Sequence, residues 1–277
     1  MPPVFCFIDD AQFELDNFAQ NAAPAFARAR FVYARTFGEA RERLAGEYPL
    51  CFLLDIYGAG PRVSAPRIPD LAELERDLGP GTPLDSLYEG LEQAGAEAGN
   101  LYLRRLYGQV ERWQRAFLQA AGDLGQGRAY GLYNLEQARR HYPHAAALGY
   151  SRKALYADAV ALSLAGAEGL LQKPQGAGDQ AIALATRQAA PGLARAAHAA
   201  VERRLGMRAG PLLARLAGQD GLRELTQALQ RALTCLDGRG ERGPAGQALL
   251  DLARRAAGLD PGDQALLGAL GLWLEAA

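Results

Sequence analysis

Cysteine, lysine and net charge are all scarce in this chain, and each scarcity removes a class of protein. Only Cys6, Cys51 and Cys235 occur, two of them inside apolar runs and none at a paired spacing. Neither a disulfide framework nor a cysteine-built zinc site is expected. A formal net charge of −1 withholds the excess of Lys and Arg that a nucleic-acid or anionic-membrane surface needs. No run approaches the roughly 18 apolar residues of a membrane span, and the opening MPPVFCFIDD lacks the basic start of a signal peptide. The expectation is a cytoplasmic protein whose partners are proteins, with no nucleic acid and no membrane. Lysine appears only as Lys153 and Lys173 among 30 basic residues, so each lysine invites a specific role.

What is present reads as a chain of 277 residues, 49% hydrophobic and 22% charged, long enough for roughly two domains. Short apolar runs at Val4 to Ile8, Arg30 to Ala34, Cys51 to Leu54, Ala145 to Gly149 and Gly169 to Gln172 predict five strands. Helical spacing lies between them, at Phe13 to Phe18, after a capping box of Thr36 and Glu39, at Leu135 to Tyr142 and at Ala154 to Ala165. Alternation of this kind predicts an α/β fold with a parallel, doubly wound sheet. The alternation is interrupted after the turn-rich Gly58-Ala59-Gly60-Pro61, where two helical stretches follow, Pro69 to Leu78 and Pro83 to about Ala121. Beyond a Gly-rich linker at Gln175 to Asp179, only helical patterns occur, punctuated at Pro191, Gly210-Pro211, Gly238 to Pro244 and Asp260-Pro261-Gly262.

Open parallel sheets bind ligands beyond the carboxyl ends of their strands. Asp9, Asp10 and Asp55 end the first and third strands, so three carboxylates should converge there, a hard oxygen-rich site that suits Mg²⁺. Aspartate can also act as a nucleophile toward phosphorus. A hydroxyl and a cation to hold the phosphoryl oxygens should then come from other strand ends, and Ser151 and Lys173 stand at those places.

These residues resemble the response-regulator receiver family of two-component signalling: FIDD at 7 to 10, LLDI at 53 to 56, YSRK at 150 to 153 and AGAEGLLQKP at 165 to 174, with 22 residues from Ser151 to Lys173. The resemblance implies a five-stranded flavodoxin-like receiver built from residues 1–62 and 129–177, with a helical insertion at 63–128 after the third strand and an all-α C-terminal domain at 178–277. It implies Asp55 as the phosphoryl acceptor, Asp9, Asp10, Asp55 and the Tyr57 backbone carbonyl around Mg²⁺, Ser151 as the switch hydroxyl, Lys173 as the cation, and a Lys173–Pro174 peptide of the kind often cis in that family. The implied donor is a sensor histidine kinase or phosphotransfer protein.

Two positions depart from the family. Leu170 stands three before Lys173, where an aromatic that moves with the hydroxyl is usual, and the insertion begins directly beside Asp55. Two other readings share these residues: a pseudo-receiver scaffold that is never phosphorylated, and a haloacid-dehalogenase-like phosphatase, which would want an Asp where Tyr57 stands. After Lys173 there are twelve Arg against ten Asp and Glu without a basic cluster, which disfavours a DNA-binding output. Apolar stripes at Leu222, Leu225, Leu229 and Leu233, and at Leu249, Leu252, Leu266 and Leu270, instead suggest a protein output partner, or a homodimer through the C-terminal helices.

Overall fold

A computed structural model of the chain describes residues 2–27, 29–59, 68–78, 84–217, 219, 222–256 and 259–276. Five strands, β1 (Val4–Ile8), β2 (Arg30–Ala34), β3 (Cys51–Leu54), β6 (Ala146–Ser151) and β7 (Gly169–Gln172), form one sheet in the order β2-β1-β3-β6-β7. Every neighbouring pair is parallel. Two short strands, β4 (Gly58–Ala59) and β5 (Gln126–Gly127), make a second sheet. The central strands are buried along their whole length, as expected where helices cover both faces.

Side-chain alternation divides the sheet's two faces. Phe5 and Phe7 point to one face, where Phe7 stacks on Phe18 of α1 (Gln12–Asn21) at 4.4 Å between ring centroids. Phe5 meets Trp273 of α10 (Pro261–Ala276) at 6.4 Å. Phe52 points to the opposite face, toward Phe37 of α2 (Phe37–Leu44). That face is also covered by α5 (Ala129–His141) and α6 (Tyr156–Leu164). The Thr36 hydroxyl accepts from the Glu39 amide, and the Glu39 carboxylate accepts from the Arg35 amide, which starts α2 as its capping pattern predicts.

Contacts divide the chain into two compact units, residues 1–58 with 128–277, and residues 59–127. The second holds α3 (Leu71–Leu78) and α4 (Ala98–Asp123). The expected helix from Pro83 to Ala121 is shorter than its pattern: Gly90 and Gly95 take positive φ, and α4 starts only at Ala98. The predicted turn at Gly60-Pro61 and the helix start at Pro83 lie outside the described residues.

Residues 178–277, expected as a module of their own, share the first unit with the sheet. Their helices are α7 (Asp179–Leu216), α8 (Arg223–Leu236), α9 (Arg242–Arg255) and α10. One apolar core runs from Phe5 and Phe7 through Ala197, Val201 and Leu205 of α7 to Leu229, Leu249, Leu270 and Leu274. Most of the leucine stripe expected to meet a partner is thereby covered from within. Pro191 and Pro211 do not end α7, contrary to their expected role as breaks. Both are exposed, as are Arg187 and Met207 four residues earlier, so the carbonyls that lose a helical partner can be solvated while the buried alanine face continues across.

Candidate functional site

The carboxyl ends of β1, β3, β6 and β7 bring the candidate residues together. Asp9 follows β1, and its amide donates to Ala34 O at 3.0 Å while its Oδ1 accepts from the Ala11 amide at 3.0 Å. The Asp55 amide donates to Ile8 O at 2.9 Å, which continues the β1–β3 register and sets Asp55 beside Asp9. Asp10 lies next to them, half-buried, and one carboxylate oxygen from each of Asp9, Asp10 and Asp55 falls within a 4.8 Å cluster. The Lys173 amide donates to Ser151 O at 3.0 Å, extending the β6–β7 ladder one residue past the Ser151–Gln172 pair and fixing the lysine beside the serine's strand end.

Lys173 is buried, 3% exposed, and its ammonium donates to Asp9 Oδ2 while standing 3.4 Å from Asp55 Oδ1 and 3.7 Å from Glu14 Oε2. The rings of Phe7 and Tyr150 flank it at 5.6 and 5.8 Å, a cation–π setting that favours the charged form. Burial alone would lower the Lys173 pKa, but Asp9, Asp55 and Glu14 raise it on balance. The Asp9 carboxyl is pushed up to about 7, first by burial and further by Asp55, against the opposing pull of Lys173. Arg152 holds Glu14 at 2.8 Å and also donates to Pro174 O. Four carboxylates therefore share two cations, and one divalent cation would bring the cluster to formal neutrality. The donor set is all oxygen, which fits Mg²⁺ in kind.

Ser151 ends β6 rather than following it, so the strand is longer than its sequence pattern. Its hydroxyl is fully buried and has no hydrogen-bond partner among the described residues, an arrangement that costs about 1–3 kcal/mol until another polar group arrives. Tyr57 does not turn its side chain to the carboxylates: its hydroxyl donates to Asp158 Oδ2 at 3.0 Å. The role the resemblance implied for Tyr57 concerns its main-chain carbonyl alone. The Lys173–Pro174 peptide is trans, since no described bond is cis.

Two participants escape sequence reasoning. Tyr130, at the start of α5, donates its hydroxyl to Arg35 O at 2.5 Å, and its pKa is raised by burial and then by Asp9, Asp10 and Asp55. Its neighbour Gly131 donates to Ile56 O at 3.1 Å, and a Cβ there would stand 2.6 Å from Asp55 O. Helix α5 can press on the Asp55 segment only because residue 131 has no side chain. Both lie far along the chain from the acidic residues and carry no motif; the only available signal was a Tyr-Gly pair where the strand–helix alternation resumes.

No family model, curated protein or solved structure matches this chain. No helix among the described residues is long and apolar enough to cross a membrane.

Proposed function

We propose that this chain is a cytoplasmic response regulator whose receiver, of flavodoxin-like strand order, accepts a phosphoryl group on Asp55 from a sensor histidine kinase or phosphotransfer protein. The observation that carries this reading is the pairing of a buried Lys173 ammonium bridging Asp9 and Asp55 with an unpartnered Ser151 hydroxyl at an adjacent strand end. An Asp55 carboxylate oxygen attacks the phosphorus of a phosphohistidine, the P–N bond breaks, and the imidazole leaves with a proton. Asp9, Asp10, Asp55 and the Tyr57 main chain would hold Mg²⁺, which would supply positive charge for the phosphoryl oxygens. Lys173 follows the new phosphoryl group by charge-assisted contact, and Ser151 donates to one of its oxygens, satisfying a hydroxyl that otherwise has no partner.

The reading as a phosphatase of the haloacid-dehalogenase kind is disfavoured, because position 57 carries a tyrosine bound to Asp158 where that chemistry wants a second aspartate. A shift of Lys173 and Ser151 would be felt directly by α6, which begins at Tyr156 and exposes Tyr156, Val160 and Leu164, and by α7, which follows the Lys173 segment. Output by helical protein contact, without nucleic acid, follows from those apolar faces and from the near-balanced charge. Incubation with Mg²⁺ and a small acyl-phosphate donor, read by intact mass, tests the proposal. One added phosphoryl group on the parent and none on Asp55→Asn is expected. A folded parent that never labels points instead to the scaffold reading, and labelling of Asp55→Asn overturns the acceptor.

A further inference from the structure

The insertion helix α4 exposes an apolar strip that the phosphorylation chemistry does not use. Leu103, Leu106, Val110 and Trp113 are 61%, 36%, 43% and 52% exposed, and their spacing is three, four and three residues. That 3-4-3 step is the seam of a two-helix coiled coil, narrower than the broad face a helix turns to a globular core. Tyr107, 62% exposed, borders the strip together with Gln109 and Gln114, so its flanks carry no charge. Flanking charges normally set partner choice and orientation. Without them the strip holds no like charges that would meet when it packs against a second copy of itself.

We propose that α4 is a homodimerisation helix, with two copies pairing antiparallel along Leu103, Leu106, Val110 and Trp113. The antiparallel direction follows from side-chain size. A parallel pair would set Trp113 against its own equivalent, whereas an antiparallel pair places Trp113 opposite Val110, Leu106 opposite Phe117 and Leu103 opposite Ala120, so that no ring meets its own equivalent. Opposed helix dipoles favour the same direction. The exposed apolar area on one α4 is on the order of 500 Å², as large as the largest patch on an ordinary monomer, which is often functional. Two copies together bury about 1,000 Å², the lower bound for a specific interface, so the dimer is reversible.

This pairing does not depend on the assignment of Asp55 and is tested without a phosphodonor. Sedimentation of the full chain across about 1–100 µM should show a monomer–dimer equilibrium. Val110→Glu and Trp113→Glu, at exposed positions that leave the core untouched, should each weaken association at least tenfold, while Gln119→Glu on another face of α4 should not. Under mild oxidation the double variant Leu103→Cys/Ala120→Cys should cross-link between copies, whereas Leu103→Cys alone should not, the three native cysteines being buried. A monomer at every concentration overturns the proposal, as does a dimer indifferent to both Glu variants. Cross-linking of Leu103→Cys alone overturns the antiparallel arrangement.

Discussion

At the scale of single residues, the site is built from groups that work against the stability of the chain that holds them. Asp9 shows this most clearly. Its carboxyl has a folded pKa of about 7 against an ordinary 3.8, chiefly through burial. The folded state therefore binds a proton that the unfolded state does not, and metal-free stability from this group falls as pH rises across that window. Asp9→Asn removes the effect and leaves Lys173 with Asp55 and Glu14 as counter-charges. In chelator, the variant should unfold at higher urea than the parent at pH 8, by about 1 kcal/mol, with the gap closing at pH 5. It should also lose any stabilisation by Mg²⁺. A variant less stable than the parent at pH 8 would show that Asp9 contributes as an ion pair more than it costs as a buried charge. The positions of Asp9, Asp10, Asp55 and Lys173 at strand ends were legible in the sequence, because those ends follow from apolar runs, whereas β6 runs on to Ser151, two residues past the end its pattern gave. The side-chain direction of Tyr57 was not legible, because Asp158, which captures it, comes from α6.

Among the elements, local preference and packing pull in opposite directions at several points, and packing decides. Helix α7 runs through two prolines because its alanine and leucine face is buried in the shared apolar core on both sides of them. The α5 glycine gives a test of sign. By helix propensity alone, Gly131→Ala should stabilise the chain by up to about 1 kcal/mol. The contact with Asp55 O and Ile56 Cα, both 2.6 Å from the new Cβ, predicts the reverse, a loss of about 1–3 kcal/mol from overpacking against backbone. Urea unfolding separates the two. Phosphoryl labelling should slow in parallel, since the displaced segment carries Asp55, the proposed acceptor.

On the scale of the whole molecule, the C-terminal helices complete the sheet's core. Phe5, Phe7, Leu53 and Leu148 share one cluster with α7, α8, α9 and α10, and polar contacts tie α7 to α1, with the Asn17 amide donating to Thr186 Oγ1 at 3.0 Å. Ending the chain at residue 177 should leave residues 1–177 without a cooperative thermal transition, since of the helices on that face of the sheet only α1 remains and the rest of the core is uncovered. Replacing residues 59–127 by a short Gly-rich loop should keep a cooperative transition, because that stretch is a compact unit of its own. Circular dichroism melts of both variants check this, and a sharp transition in residues 1–177 would restore the boundary that the Gly-rich linker suggested.

The sequence by itself determined the five strands, their parallel sense and the acidic, hydroxyl and cationic residues near their ends, because strand identity depends on runs of a few neighbouring residues. Only the tertiary structure decided that residues 178–277 belong to the sheet's unit, that Tyr130 lies near the carboxylates and Gly131 against the Asp55 backbone, and that the leucine stripes of α8 to α10 are largely covered internally while the α4 strip stays exposed. An apolar stripe states only that a helix must bury a face. Which surface covers it is fixed by contacts between segments far apart in the chain, and no local pattern records them.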